Sequence, residues 1–249
     1  MAYQIIDDNS LSAIVKNIAQ MVSYPEPVDP AGDTDTSVIQ MVQAVNQSGY
    51  DLLSLYPWQE LTKSYDMSIE ADTAGQSEKA FTLPTDFYQW VDQTQWNSTS
   101  QWPAIGPISP QVWKQLIVRT TLPTLSFYWQ VRDNELYILG PPTDAQTLTF
   151  FYQSMAWVRD ADNADLYKNR ATKNGDTILI DSNLVTLLGR VKWLEMKGLD
   201  SSAAMRDFQI QFENRKGGKI GAPVLTMSRG YGFPYIQPLS NTPDTGFGS

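Results

Sequence analysis

The chain has 249 residues, 42% of them hydrophobic and 12% aromatic, which is ample for one or two packed domains. It contains no Cys and no His, which excludes disulfides, thiolate and imidazole chemistry, and nearly every transition-metal site except a carboxylate one. A net charge of −9 argues against gripping DNA through a basic stripe that neutralises phosphates, but not against lining a passage whose like charge repels them.

No window approaches the roughly eighteen uninterrupted apolar residues of a membrane span. The opening MAYQIIDDNS also lacks the basic and apolar regions of a secretory signal, so the expectation is a soluble protein that is not exported by that route. Asn9 and Ser10 are N-cap candidates for a helix whose apolar face is Leu11, Ile14, Val15, Ile18 and Val22, ending by Tyr24. Prolines at 25, 27 and 30 make the next stretch a loop, and Asp35 or Thr36 caps the second helix. Val38, Met41, Val42, Val45, Gly49, Leu52, Leu53 and Tyr56 predict that this helix is long and amphipathic, stopped by Pro57.

From Trp58 the period shifts towards two. The segments 60–69, 86–96, 125–132, 135–139 and 147–155 are rich in aromatic and β-branched residues and read as strands, with a hairpin turn at Asp133-Asn134. One helix interrupts them over 109–118, with Ser109 as N-cap, Pro110 at its first position and Val112, Trp113, Leu116 and Ile117 on one face. A polar stretch comes next. Asp181 or Ser182 then opens a helix along Leu184, Leu187, Leu188, Val191 and Leu194, broken by Gly198, and Asp200 or Ser201 starts a last helix that stops at Gly217-Gly218.

These elements predict an α+β protein. Residues 1–58 and 181–218 form a helical bundle, 59–158 an inserted antiparallel β domain with its one short helix, 159–180 a connecting loop, and 219–249 an extended arm. Charge is uneven along this plan: residues 1–110 carry fourteen Asp and Glu against three Lys, a net of −11, whereas residues 111–249 are +2.

Several patterns suggest chemistry and fall short of it. Asp160, Asp162 and Asp165 lie close together but miss the Gly and Glu that an EF-hand loop requires at its sixth and twelfth positions. Asp66, Glu70, Asp72 and Asp86 could supply a glycosidase carboxylate pair, but such residues abound in any acidic chain. Gly217-Gly218-Lys219 lacks the rest of a phosphate loop, and the sequon Asn97-Ser98-Thr99 has no secretory signal to go with it. Trp90, Trp96, Trp102 and Trp113 read first as core and second as interface. No catalytic, metal-binding or cofactor-binding residue is assigned.

Residues 219–249 are unlike the rest, with five Gly, four Pro and only three charges, yet four aromatics. A segment that cannot build a core yet carries anchors is suited to binding a partner. Arg229, Tyr231, Phe233, Tyr235 and Phe247 are the candidate docking residues.

The order of Leu83-Pro84-Thr85-Asp86-Phe87 and Trp90, then Ile108-Ser109-Pro110-Gln111-Val112-Trp113, then Tyr137-Ile138-Leu139-Gly140-Pro141-Pro142, then the helical pair from Leu187 to Phe208 resembles the head-to-tail adaptor proteins of short-tailed bacteriophages. These are also called connector, head-completion or tail tubular A-like proteins. The resemblance covers roughly residues 5–215. It implies a virion protein, assembled in the host cytoplasm, that forms a ring of copies of itself, commonly twelve, between the portal protein and the tail nozzle or tubular protein. DNA passes through the channel without specific binding, the C-terminal arm grips the portal, and no catalysis, cofactor or membrane is involved. Whether tail fibres also attach is left open, and the alternative is a carbohydrate-binding or tail-fibre-like virion module.

Overall fold

The computed structural model describes residues 9–71, 78–118, 127–140, 142 and 144–219. Among them are five α-helices and eleven mostly short strands, all of whose pairings are antiparallel, so the protein is α+β. The helices are α1 (Leu11–Met21), α2 (Thr36–Leu55), α3 (Pro110–Val118), α4 (Ser182–Met196) and α5 (Ser202–Lys219).

Local chemistry sets the helix starts. Ser10 accepts from the Ala13 amide, Asp35 from Ser37, and Asp181 from both Asn183 and Leu184, satisfying amides that have no partner inside the first turn. Gly198 adopts φ +68° after α4 while the Leu199 amide reaches back to the Leu194 carbonyl, a left-handed stop that other residues rarely adopt. The expected stop at Gly217-Gly218 is a correction, since α5 runs to Lys219. Two glycines weaken a helix without necessarily ending it, and nothing crowds Gly217.

Helices α1, α2, α4 and α5 share one core, in which Leu11, Ile14, Ile18, Met41, Val45 and Leu52 meet Leu184, Leu188, Val191 and Phe208. Gly49 lies against the Trp157 ring so closely that a Cβ would enter its van der Waals envelope.

The second core lies between two sheets. Strand β8 (Gln146–Ser154) is central in the larger: β1 (Thr62–Ile69) pairs along one edge, from Thr62 opposite Gln153 to Ile69 opposite Gln146. On its other edge β3 (Phe87–Trp90) and β4 (Trp96–Asn97) follow one another, with β5 (Trp102–Pro103) outside β4. The strand expected over 86–96 is therefore two strands separated by an irregular segment. The smaller sheet has β7 (Glu135–Leu139) between β2 (Glu78–Thr82) and β6 (Tyr128–Arg132). Asp133 and Asn134, at φ +51° and +65°, make the tight hairpin turn at the predicted position. Trp90 joins the sheets, with its ring 4.7 Å from that of Trp129 and 4.5 Å from that of Phe150.

The segment 159–180, expected only to connect, helps to build the helical core. Strands β9 (Val158–Arg159), β10 (Tyr167–Lys168) and β11 (Thr177–Ile178) form a third sheet with β9 in the centre. This sheet is tied to the start of α1: the Ile178 amide donates to the Asn9 carbonyl and the Leu11 amide to the Asp176 carbonyl, both at 2.9 Å.

Candidate functional site

The carboxylates that could have carried chemistry serve as fasteners. Asp176 is fully buried, accepting from Lys168 Nζ at 2.7 and 2.8 Å and from the amides of Thr172, Lys173 and Ala161. Burial alone pushes its carboxyl up, but the Lys168 ammonium and the three amides outweigh that and hold it below the ordinary value. Lys168 also pairs with Asp160 at 2.8 Å, and Lys173 with Asp160 and Asp162. The acidic run is thus filled by lysine ammonium groups. Among the described residues no group of three or more Asp and Glu converges as metal ligands.

Asp86 lies in the turn that enters β3. Lys63 Nζ and Ser154 Oγ donate to it at 2.7 Å, and the Tyr152 hydroxyl at 2.8 Å. Burial raises its pKa, but these donors outweigh that and hold it below the ordinary value, so the carboxylate stays ionised, the opposite of a general acid; burial and Asp86 together push the Tyr152 phenol up. Asp66 accepts from Thr149 Oγ1, Glu70 pairs with Lys79, and Asp72 lies outside the described residues. Likewise Glu78 receives Trp113 Nε1 at 2.7 Å and Arg132 at 3.1 Å, which pins α3 to the smaller sheet.

The four tryptophans separate. Trp113 is buried, Trp90 packs between the sheets, Trp96 is half-buried and Trp102 is 41% exposed. On α3 the expected face is narrower than its pattern, for Trp113 alone is buried and Val112 faces outward.

The five docking candidates Arg229, Tyr231, Phe233, Tyr235 and Phe247 lie outside the described residues. Within the described residues, the helical core leaves an apolar groove where α2, α4 and α5 meet. Leu188 and Phe208 form its floor, Met205 and Phe212 its wall, and Leu55, 54% exposed, its mouth. The rings of Phe208 and Phe212 stack 5.8 Å apart. Asp51 and Lys192, paired at 2.8 Å, stand on the rim. Sequence reasoning missed this groove because Leu55 reads as an ordinary helix end, and which helices adjoin is not written in any one of them.

Among the described residues no helix is long and apolar enough to cross a membrane. No family model matches the chain, and no curated protein matches it in sequence.

Proposed function

We propose that the protein is a structural head-to-tail adaptor, a ring of copies that joins a bacteriophage portal to the tail and leaves a channel for DNA. In this reading the helical bundle forms the ring wall, the β domain faces outward or towards the tail nozzle, and the segment from 219 onward is an arm that grips the portal. The observation that carries it is the division of labour on the surface. The Asp86 and Asp176 carboxylates are committed to holding elements together, whereas among the described residues apolar side chains on the helices are left open beside α5, which leads into the candidate arm.

The motifs behind the resemblance act as joints. Leu83 to Phe87 forms the turn that carries Asp86, and Ser109-Pro110 begins α3. A closed ring needs heterologous contacts, so each copy must present two different, complementary faces. The acidic first part of the chain and the mildly basic second part favour one orientation over its reverse.

Native mass spectrometry of the protein mixed with its portal tests this. The expected species is a multi-copy ring on the portal; one-to-one heterodimers or no complex would contradict it. Deleting residues 219–249 is expected to leave circular dichroism unchanged and abolish portal attachment. Trp102 gives a second reading some footing, because an exposed indole can stack on a sugar ring. Saturable quenching of tryptophan fluorescence by oligosaccharides, lost in Trp102→Ala, would favour a carbohydrate-binding module.

A further inference from the structure

The groove between α2, α4 and α5 has the shape of a binding site, and one of its helices, α5, leads in sequence into the chain's own candidate arm. We infer that it is the resting seat of the aromatic run Tyr231, Phe233 and Tyr235 of the same chain, from which a partner must draw that run before it can bind it. This rests on the adaptor reading only for the identity of the partner.

Three observations support it. The groove has an apolar floor in Leu188 and Phe208, an exposed apolar lip in Leu55, and a polar rim in the Asp51–Lys192 pair. Such a site suits a tyrosine, whose ring buries apolar surface while its hydroxyl reaches a polar edge. Its volume, about 400 Å³, is within the range of ligand-sized pockets, about 300–1,000 Å³.

Reach is the second. Phe212 stands seven residues before the end of α5 at Lys219, about 10 Å along a helix axis. Eleven residues lie between Lys219 and Tyr231, and the twelve steps span up to about 40 Å when extended. The return is well within that length. Residues at i, i+2 and i+4 of an extended stretch share one face, so Tyr231, Phe233 and Tyr235 can act together.

The third is competition. A short tether holds its end at an effective concentration on the order of millimolar, above any micromolar working concentration, so the chain's own run wins over that of a second copy. A portal then succeeds by offering more contacts than the groove, and the groove keeps unassembled copies from joining through exposed aromatics.

Because the chain has no Cys, two introduced thiols can pair within one chain only with each other. The test oxidises the full chain carrying Leu55→Cys and Phe233→Cys at micromolar concentration, beside a control with Val28→Cys, 91% exposed in the loop between α1 and α2, and Phe233→Cys. The expected result is an intrachain disulfide formed at least tenfold faster in the first protein. Equal rates, or disulfides found only in covalent dimers, would overturn the seat. As a check without thiols, hydrogen exchange in the second half of α5 should be at least about threefold faster in the full chain carrying Tyr231→Ala, Phe233→Ala and Tyr235→Ala; unchanged exchange would also overturn it. Portal binding by the unsubstituted chain is read separately, so failure of the seat and failure of the adaptor reading are distinguishable.

Discussion

Aliphatic side chains on helices fill most of the first core, from Leu11 and Ile14 to Leu184 and Val191, whereas rings fill the second, with Phe127, Trp129, Phe150 and Tyr152 joined by Tyr65, Phe81, Phe87 and Trp90. The two regions also obtain a unique arrangement by different means. Strand pairing fixes the β region, since a one-residue slip of β1 against β8 would turn Met67 and Ile69 away from the rings. Helices have no such ladder between them. Close packing holds them instead, as where Gly189 of α4 meets the Ile18 side chain of α1, together with the ion pair between Asp51 of α2 and Lys192 of α4, while Gly49 and Asp176 anchor α2 and the start of α1 to the third sheet and its neighbours. Steric fit and ion pairing do for the helices what hydrogen-bond register does for the sheets.

The largest expected effects come from striking each region at its own device. Trp129→Ala should lower stability by about 3–5 kcal/mol through the β core. Asp176→Asn should cost somewhat less, about 3 kcal/mol, by removing one of the two buried carboxylates that face Lys168 and leaving Asp160 as the other. Urea unfolding followed by near-ultraviolet and by far-ultraviolet circular dichroism checks both. If the regions are separate, each variant shifts a different transition; one shared transition, moved equally by both, would break the comparison.

A methyl group comes next. Gly49→Ala should destabilise by about 1–3 kcal/mol, because Trp157 is buried and its ring cannot withdraw. Acid sharpens the same contrast. Asp160 and Asp176 sit below their usual 3.8 in the folded chain and return to it on unfolding. Their contribution is therefore complete above about pH 5 and is lost as pH falls through 3.8 towards the folded values. Lys168 is raised, so its contribution is complete below its usual 10.5 and is lost as pH rises through the folded value. Denaturation midpoints at pH 7 and pH 3 should differ for the natural chain and differ less for Asp176→Asn. The smallest effect is Ser10→Ala, about 1 kcal/mol from the lost cap of α1, measurable by thermal unfolding.

Elements that repeat a pattern over many residues were legible from the sequence. Helices α2 and α4 of the first core, with Asp35 and Asp181 as caps, and the Asp133-Asn134 hairpin stand where periodicity and turn chemistry put them. What was hidden depends on distant partners. Tyr167-Lys168 and Thr177-Ile178 are strands only because Val158-Arg159 lies between them, and two residues carry no period. Asp176 looked like one more residue of a polar stretch, since its value comes from Lys168 and from three amides that the fold brings to it. The groove beside Phe212 belongs to three helices at once, and an amphipathic reading of any one cannot show it.

The join between α1 and β11 also bears on how the chain is made. Ser10 bridges to Thr177, so the first helix cannot be sealed until the ribosome has released a residue more than 160 positions later. Strands β1 to β8 lie entirely between these points and share their own core, so they can close while α4 is still unmade. During translation α1 and α2 wait with their apolar faces open, which makes that interval, rather than any moment in the finished protein, the time when this sequence most depends on a chaperone.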